Sequence, residues 1–364
     1  MSETTEILNV PLDVTWTFDY QIDMAKLKNL YSKAKQSQWD AETYIDWERP
    51  IDPSKPLIDE DRFGFSRVPL YAKLSDTQRE RFRAHMTAQI LSGILHGEQG
   101  ALMTAAVLTH AVPDYEGKLY AATQTYDEAR HVEVYDRYIK RLAIIYPMNS
   151  GLKSLIEMAF KGDHWVKVAI GMNMVVESLA LGAFHNMGAA TTCDTLRTIL
   201  QMVLRDESRH VAFGHVYVKE AISRMTPDER EDIAEFTFEA VSRQRRRGGA
   251  AAGDGGRFLQ VLINAGIEPQ DFLKSMNEAR EQGLLRGTAA PGQVHMFRDL
   301  MMPALVRVGA ITERTRAKFA EQGIQIFEDT TVLEAMEDDA TGEFDVAIAA
   351  EAGNGEREEA PSGY

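Results

Sequence analysis

The pentapeptide DEARH at Asp127–His131 is nearly repeated 79 residues later as DESRH at Asp206–His210. Each copy places a glutamate three residues before a histidine. On an α-helix, residues three apart lie on one face, so the two side chains can reach a common point. A single Glu-x-x-His motif is a weak signal. Two copies in one chain predict two helices that direct carboxylates and imidazoles toward a shared centre.

Two further glutamates stand where a helical bundle should be apolar. Residues at helical spacing around Glu98 and Glu177 are nearly all apolar: Leu91, Ile94, Leu95, Ala101, Leu102 and Ala105 for the first, and Ile170, Asn173, Met174, Ala180, Leu181 and Phe184 for the second. Buried carboxylates are rare unless they are paired or bind a metal. Each of these glutamates precedes the glutamate of a pentapeptide by 30 residues. The spacing predicts two antiparallel helical hairpins related by a pseudo-twofold axis.

The chain between these motifs has a helical pattern almost throughout, and strand-like alternation is nearly absent. Apolar spacing and cap residues predict long helices from Ser75 or Asp76 to Val112, over Tyr115–Tyr146, over about His164–Ala190 and over about Cys193–Met225, with a short segment near Gly151–Phe160 and a fifth helix capped by Thr226 with Pro227 at its first position. A flexible break is expected at Arg245–Phe258. The fold class is therefore all-α.

The two ends of the chain differ from this central part. Residues 1–70 contain one helix-like piece and a proline-rich loop, and we expect an arm packed on the helical domain of residues 71–325. From Glu328 to Tyr364 there are twelve acidic residues and one basic residue. Of the formal net charge of −15, this segment carries −11. We expect residues 326–364 to form an acidic, largely disordered tail.

Composition excludes several classes of function. The body of the chain carries only −4 and has no basic patch for nucleic acid. The single Cys193 allows neither an internal disulfide nor a cysteine-ligated iron–sulfur cluster. The most membrane-like run, Val166–Ala190, contains Glu177 and His185, which favours a buried bundle helix over a membrane span. We expect a cytoplasmic protein that does not bind membranes.

Four carboxylates and two imidazoles form the predicted ligand set of a dimetal site: Glu98, Glu128, His131, Glu177, Glu207 and His210. One glutamate from each of two helices and one Glu-x-x-His from each of two others is the arrangement of four-helix di-iron and di-manganese proteins. Oxygen and imidazole donors suit iron or manganese. The alternative, core carboxylates salt-bridged to arginine and histidine, explains neither the repeat nor the matched spacings.

The other charged residues of the pentapeptides are candidates for supporting this site. A metal-bound histidine usually donates its second N–H to a carboxylate. We expect Asp127 and Asp206 each to serve the histidine of the opposite helix, with Arg130 and Arg209 balancing their charge. The alternative is that these residues form solvent-facing ion pairs.

Together, Glu98, DEARH, Glu177 and DESRH resemble the ferritin-like di-iron superfamily, in the branch of ribonucleotide reductase small subunits and bacterial multicomponent monooxygenase hydroxylases. The resemblance implies a ferritin-like four-helix bundle with additional helices and an N-terminal arm, two iron ions per chain with manganese as an alternative, and activation of O2. It also implies that Trp39 hydrogen-bonds Asp206, unless it is a plain core residue. Tyr135, four residues after His131, matches the position of the radical tyrosine of small subunits, or it is an ordinary buried tyrosine.

These observations predict a di-iron oxygenase or oxidase acting on an organic substrate. Electrons would come from an external reductase or ferredoxin, or from the substrate, and we expect a homodimer. The alternative from a different class is a radical-generating subunit that serves a partner enzyme, and a non-enzymatic metal-binding protein comes third. Glu98 stands where most small subunits have aspartate, which favours the oxygenase.

Overall fold

The computed structural model describes residues 5–58, 60–246, 255–285 and 293–341. Within these ranges the chain is helical and contains no strand, which confirms the predicted all-α class. The N-terminal helices are α1 (Ala25–Gln36), α2 (Ala41–Tyr44), α3 (Glu60–Phe63) and α4 (Pro69–Lys73), with a 3₁₀ turn at Phe65–Arg67 before α4.

Four long helices build the bundle. The first, second and fourth are α5 (Asp76–Ala111), α6 (Tyr115–Leu142) and α10 (Asp194–Arg224). The third is one continuous helix made of α8 (Trp165–Ala169), a π-helical segment (Ile170–Val176) and α9 (Glu177–Ala190). The short α7 (Ser150–Phe160) lies between the two hairpins. Helix α5 packs along α6, and α9 packs along α10. The two predicted hairpins are thus present, and with them the ferritin-like bundle.

The sequence signals for helix ends act as predicted. Ser75 caps α5 in a reciprocal pair with Gln78, in which each side chain bonds the other's backbone N–H. Thr226 and Glu229 form the same pair before the next helix. The predicted extension of α6 to Tyr146 is wrong. The helix ends at Leu142, and the Tyr146 backbone N–H donates instead to the Ser92 hydroxyl of α5.

The remaining helices follow the bundle. They are α11 (Pro227–Arg246), α12 (Gly255–Asn264), α13 (Pro269–Glu281), a π-helical segment (Met296–Met301) leading into α14 (Met302–Arg307), α15 (Glu313–Glu321) and α16 (Thr331–Thr341). The break expected at Arg245–Phe258 is shorter than predicted, because α11 continues to Arg246 and α12 begins at Gly255. Residues 247–254 lie outside the described ranges.

The boundary expected at residue 326 needs correction. Helix α16 packs against α10, with Leu333 fully buried. Glu337 of this helix pairs with the buried His215 of α10 and accepts a hydrogen bond from Arg307 at 2.8 Å. The many acidic residues of this segment suggested a solvated tail. However, Leu333 and Glu337, four residues apart on one face of α16, are buried against the rest of the protein. Residues 342–364 lie outside the described ranges.

The N-terminal arm holds one side of the bundle. Helix α1 packs on α6 and α10 and buries Leu27, Leu30 and Ala34. Trp39 lies in the break between α1 and α2 and is buried. Among the described helices, only Trp165–Ala190 is long and apolar enough to cross a membrane, and 83% of its most apolar window is buried inside the fold.

Candidate metal centre

The six predicted ligand residues come from four helices and meet in the interior. Glu98 lies on α5, Glu128 and His131 on α6, Glu177 at the start of α9, and Glu207 and His210 on α10. All six are buried, with at most 5% of any of them exposed. We call α5 and α6 the first half of the centre. The second half consists of the π-helical segment Ile170–Val176, α9 and α10. The matched spacings place equivalent residues of the two halves around one point.

Donor atoms of these residues form two overlapping groups. Glu98, Glu128, His131 and Glu207 bring one donor atom each to within 4.8 Å of one another, and Glu128, Glu177, Glu207 and His210 do the same. The groups share Glu128 and Glu207, one from each pentapeptide. Each group would hold one cation, and Glu128 and Glu207 would contribute to both.

The imidazole nitrogens face more oxygen atoms than hydrogen bonds can satisfy. Nδ1 of His131 lies 3.3 Å from an oxygen of Glu98, 3.3 Å from one of Glu128 and 3.2 Å from one of Glu207. A single N–H donates to one acceptor well, so three carboxylates around it leave acceptors unpaired. Nδ1 of His210 lies 3.0 Å from Glu128 Oε1 without hydrogen-bond geometry, and among the described residues the buried Glu207 Oε2 has no hydrogen-bond partner. Divalent cations between these atoms would satisfy them, so the residues fit a dimetal site.

The second nitrogen of each ring is fixed by an aspartate from the opposite half. Nε2 of His131 lies 3.1 Å from Asp206, and Nε2 of His210 lies 3.4 Å from Asp127. With the proton on Nε2, each Nδ1 would offer its lone pair to a cation bound among the carboxylates. This is the crossed arrangement expected from the sequence.

Arg130 and Arg209 neutralise the two aspartates in the interior. Arg130 donates to Asp127 at 2.6 Å and to Asp206 at 2.8 Å, and Arg209 pairs with Asp206 and lies 3.7 Å from Asp127. All four side chains are at most 4% exposed, so the alternative of solvent-facing ion pairs is wrong. The Trp39 indole N–H donates to Asp206 at 2.8 Å, and the Arg130 guanidinium lies over the Trp39 ring at 4.6 Å.

The close approach of buried carboxylates shifts the pKa of several groups in the centre. Burial, together with the negative charge of Glu207, raises the pKa of Glu98 and of Glu177 well above the ordinary carboxyl value. Burial alone would lower the pKa of His131, but hydrogen bonds to Asp206 and to the glutamates raise it well above its usual range. Buried carboxylates therefore compete for protons here, and bound cations would take the place of those protons.

Two polar residues of the centre were missed by sequence reasoning. Gln124 lies one turn before Glu128 and donates to Glu177 Oε1 at 2.8 Å. Asn173 lies one turn before Glu177 and donates to its Oε2 at 3.0 Å. Both are fully buried. Asn173 was the one polar residue in the stripe around Glu177, and that exception was the available signal.

Tyr135 lies beside the first half. It is fully buried, its ring stacks on Phe184 with centroids 6.1 Å apart, and its hydroxyl has no hydrogen-bond partner among the described residues. Burial and the charge of Glu98 raise the pKa of the Tyr135 hydroxyl well above its ordinary value. The residue that occupies the equivalent position in the second half, four after His210, is Gly214.

Comparison with known proteins gives a family and a set of distant structural neighbours. The family model of p-aminobenzoate N-oxygenase AurF matches residues 22–244. An R2-like ligand-binding oxidase with aerobically reconstituted metal cofactor after photoconversion is 17% identical with a TM-score of 0.46, covering 73% of this chain and 94% of that chain. An R2-like ligand-binding oxidase with aerobically reconstituted Mn/Fe cofactor (long soak) is 18% identical with a TM-score of 0.45, covering 72% and 94%. No curated protein matches the chain.

Proposed function

Because the chain belongs to the p-aminobenzoate N-oxygenase AurF family, we propose that it transfers an oxygen atom from O2 to the nitrogen of an aromatic amine. At the coarser level it is a di-iron oxygenase or oxidase that acts on an organic substrate, with iron, or iron and manganese, as its metals. The aromatic amine is taken from the family description. The observation that carries the metal assignment is the pair of donor groups sharing Glu128 and Glu207.

We assign the ligands from those groups. Glu98 and His131 would hold one ion, Glu177 and His210 the other, and the two shared glutamates would bridge them. When bound, the two ions supply the redox equivalents and the O2-binding positions that side chains lack.

The side chains around the ions have separate tasks. Asp206 and Asp127 hold the imidazoles in one tautomer and orientation through the Nε2 hydrogen bonds. Arg130 and Arg209 supply positive charge beside these aspartates. Burial of the whole set limits contact with bulk water, so hydrogen-bonded groups and the substrate itself would carry protons to the centre.

A substrate path is supported on the second half. A cleft of about 650 Å³ opens beside α9, α10 and α16, and its lining includes Leu204, three residues before Glu207. Leu204 also packs against both parts of the hydrophobic core, so it lies between the cleft and the interior. We propose that the amine enters here.

An external electron donor is part of the proposal. Converting a primary amine to a hydroxylamine with O2 forms one N–O bond, releases one water, and consumes two protons and two electrons beyond those of the amine. The chain has one cysteine, Cys193, which is free and buried, so no cysteine-ligated cluster supplies them. We propose a separate reductase or ferredoxin.

A homodimer and a cytoplasmic location complete the proposal. The extended segment before α1 exposes Trp16 and Phe18 at 75% and 74%, and such apolar side chains are typical of a surface that another copy covers. The single free cysteine is typical of a reducing compartment. Light scattering of wild-type protein and of Trp16→Ser would test the dimer.

The function is tested by product analysis under isotopic oxygen. Protein loaded with iron, a chemical reductant and an arylamine should yield a hydroxylamine or a more oxidised nitrogen product labelled from ¹⁸O₂. The near-isosteric Glu128→Gln variant should lose most of its metal and the product. An unlabelled product, or a C-oxygenated product without N-oxygenation, would contradict the proposal.

A second candidate function rests on Tyr135. Its unpaired hydroxyl and its position beside His131 suit a redox-active tyrosine of a radical-generating subunit. Reaction of the reduced protein with O2 would then give a stable tyrosyl radical, absent in Tyr135→Phe, as measured by electron paramagnetic resonance. Substrate turnover that survives Tyr135→Phe would favour the oxygenase.

A further inference from the structure

Both carboxylate oxygens of Glu177 are held by side-chain amides. Gln124 Nε2 donates to Oε1 at 2.8 Å and Asn173 Nδ2 donates to Oε2 at 3.0 Å. The two amides also bond each other, with Asn173 Nδ2 donating to Gln124 Oε1 at 3.2 Å. Gln124 and Asn173 therefore form one connected unit around Glu177, which we call the amide clamp.

The clamp depends on two local features of the second half. Asn173 lies inside the π-helical segment Ile170–Val176, where the helix is widened. Facing it on α10 is Gly214, and a Cβ on this glycine would lie 3.0 Å from the Asn173 Cβ. Since real Cβ contacts are rarely that close, a side chain at residue 214 would displace Asn173.

The first half has no counterpart to the clamp. The residues one turn before Glu98 and Glu207 are Ile94 and Val203, which are apolar. Within the described parts of the chain, the Glu98 carboxylate makes a hydrogen-bond contact with His131 Nδ1 at 3.3 Å, and that nitrogen is itself a proposed ligand atom. Equivalent glutamates thus have different freedom: Glu177 is fixed at both oxygens, whereas Glu98 has no amide donor.

We propose that the amide clamp makes the two metal positions inequivalent, with Gln124 and Asn173 acting as positioning residues for Glu177. Each clamped oxygen keeps a second lone pair for a cation, and the carboxylate is already oriented before the ion arrives. The position of Glu177 and His210 is then the tighter one. The carboxylate of Glu98 is free to reorient during the reaction. This inference rests on the proposed ligand set.

Metal titration of the metal-free protein tests the clamp without recourse to activity. Manganese(II) is added anaerobically and free ion is counted from its electron paramagnetic resonance signal. Wild-type protein should bind two ions per chain in two resolved steps. Asn173→Leu and Gln124→Met, which replace the amides with apolar groups of similar size, should weaken the tighter step about 10–100-fold, because removal of residues that orient a ligand has that effect. Gln124→Met also removes a hydrogen bond of 3.3 Å to the shared Glu128, so a smaller weakening of the other step is expected in that variant alone.

The chain offers a matched control. Ile94→Leu places leucine one turn before Glu98, just as Asn173→Leu places it before Glu177, and both binding steps should stay as in wild type. Thermal unfolding of the metal-free variants shows whether each still folds. If Asn173→Leu does not fold, Gln124→Met carries the test from the other helix.

The outcomes separate the inference from the proposed function. Unchanged binding in both clamp variants, or equal weakening of both steps, would overturn the clamp while leaving the dimetal site. Wild-type protein that binds fewer than two ions would overturn the ligand set and the clamp with it. Failure to oxidise an arylamine would contradict the proposed reaction and would leave the titration result standing.

Discussion

The two halves of the metal centre repeat the same ligand motif but differ one turn away from it. The second-half glutamate, Glu177, has Asn173 four residues before it, whereas Glu98 has Ile94. Four residues after the histidines the two halves differ again. The first half has the large side chain of Tyr135 there, and the second half has a glycine, Gly214.

The residues that differ between the two halves contact one another. Gly214 leaves room on α10, and the π-helical segment fills that room with Asn173 and Met174, whose atoms lie 3.0 Å and 3.1 Å from the position of a Cβ. In the first half, the space beside His131 is occupied by the Tyr135 ring. The ligand residues are therefore symmetric, but the residues packed around them are not. These surrounding residues can make the two metal positions differ in function.

The largest expected effect compares the two aspartates. Asp206 accepts from Trp39, Arg130, Arg209 and the histidine of the opposite helix. Asp206→Asn leaves buried guanidinium groups without a matching charge, so we expect a loss of about 3–5 kcal/mol in the free energy of unfolding of the metal-free protein. Urea denaturation measures it.

The matched variant is Asp127→Asn, for which we expect a smaller loss. Its contacts with Arg209 and His210 are longer, at 3.7 Å and 3.4 Å. Equal losses of the free energy of unfolding in the two variants would show that Asp127 and Asp206 stabilise their two halves equally.

The next effect concerns the close packing of the second half. Gly214→Ala inserts a methyl group against Asn173 and should destabilise the protein by about 1–3 kcal/mol, as overpacking of a core does. Gly188→Ala on α9 is the control, since its nearest neighbour would be the Leu200 Cβ at 3.9 Å, an ordinary contact. That variant should gain up to about 1 kcal/mol from helix propensity. A neutral Gly214→Ala would mean that the π-helical segment shifts freely.

A smaller effect is expected for α16, which packs on α10 of the second half. Burial raises the pKa of Glu337, but the hydrogen bond and charge of His215 and the charge of Arg307 outweigh it, and the pKa lies below its ordinary value of 4.5. A carboxyl with a lowered pKa stabilises the fold above its ordinary pKa, and this contribution is lost as the pH falls through the lowered value. The protection of the α16 amides against hydrogen exchange, relative to their intrinsic exchange rates, should therefore fall below about pH 4.

The Glu337→Gln variant sharpens that prediction. It should lose about 1 kcal/mol at neutral pH, the value of a typical hydrogen bond, and α16 should exchange faster without a further acid-dependent step in this range. Unchanged acid dependence in the variant would assign the transition to another group.

The smallest effect is expected for two buried tyrosines of α6, Tyr120 and Tyr135. Tyr135→Phe and Tyr120→Phe each remove a hydroxyl that has no partner among the described residues, so stability should change by less than about 1 kcal/mol, or rise. Thermal unfolding measures this. A large loss in either variant would reveal a hydrogen bond, for example to an ordered water.

Sequence alone predicted the symmetric part of the molecule. Helix starts at Ser75 and Thr226 followed from cap chemistry, and the convergence of the two pentapeptides followed from helical spacing. Even the crossed pairing of Asp127 and Asp206 with the opposite histidines was predicted, because a ligating imidazole needs an acceptor for its second N–H.

The asymmetric part was not predictable in the same way. The apolar sequence of Ile170–Val176 does not distinguish a π-helical segment from an α-helix. Without that information, Asn173 is only a single polar residue among the apolar residues around Glu177. Gln124 lies in a polar stretch where nothing distinguishes it. The burial of α16 depends on a partner, His215, that is more than a hundred residues away. Each of these features is a tertiary contact rather than a local pattern.

The π-helical segment has a consequence for how this chain could have diverged. In an ordinary helix, removing one residue rotates everything beyond it by about 100° and scrambles the buried face. Ile170–Val176 already holds a wider turn, so loss of one residue there would tighten it into an α-helix while Glu177 and the helix after it stay in register. Such a deletion would move Asn173 away from its contact with Glu177. This stretch is thus a place where descent with single-residue insertions and deletions could alter the chemistry of one metal position while sparing the fold.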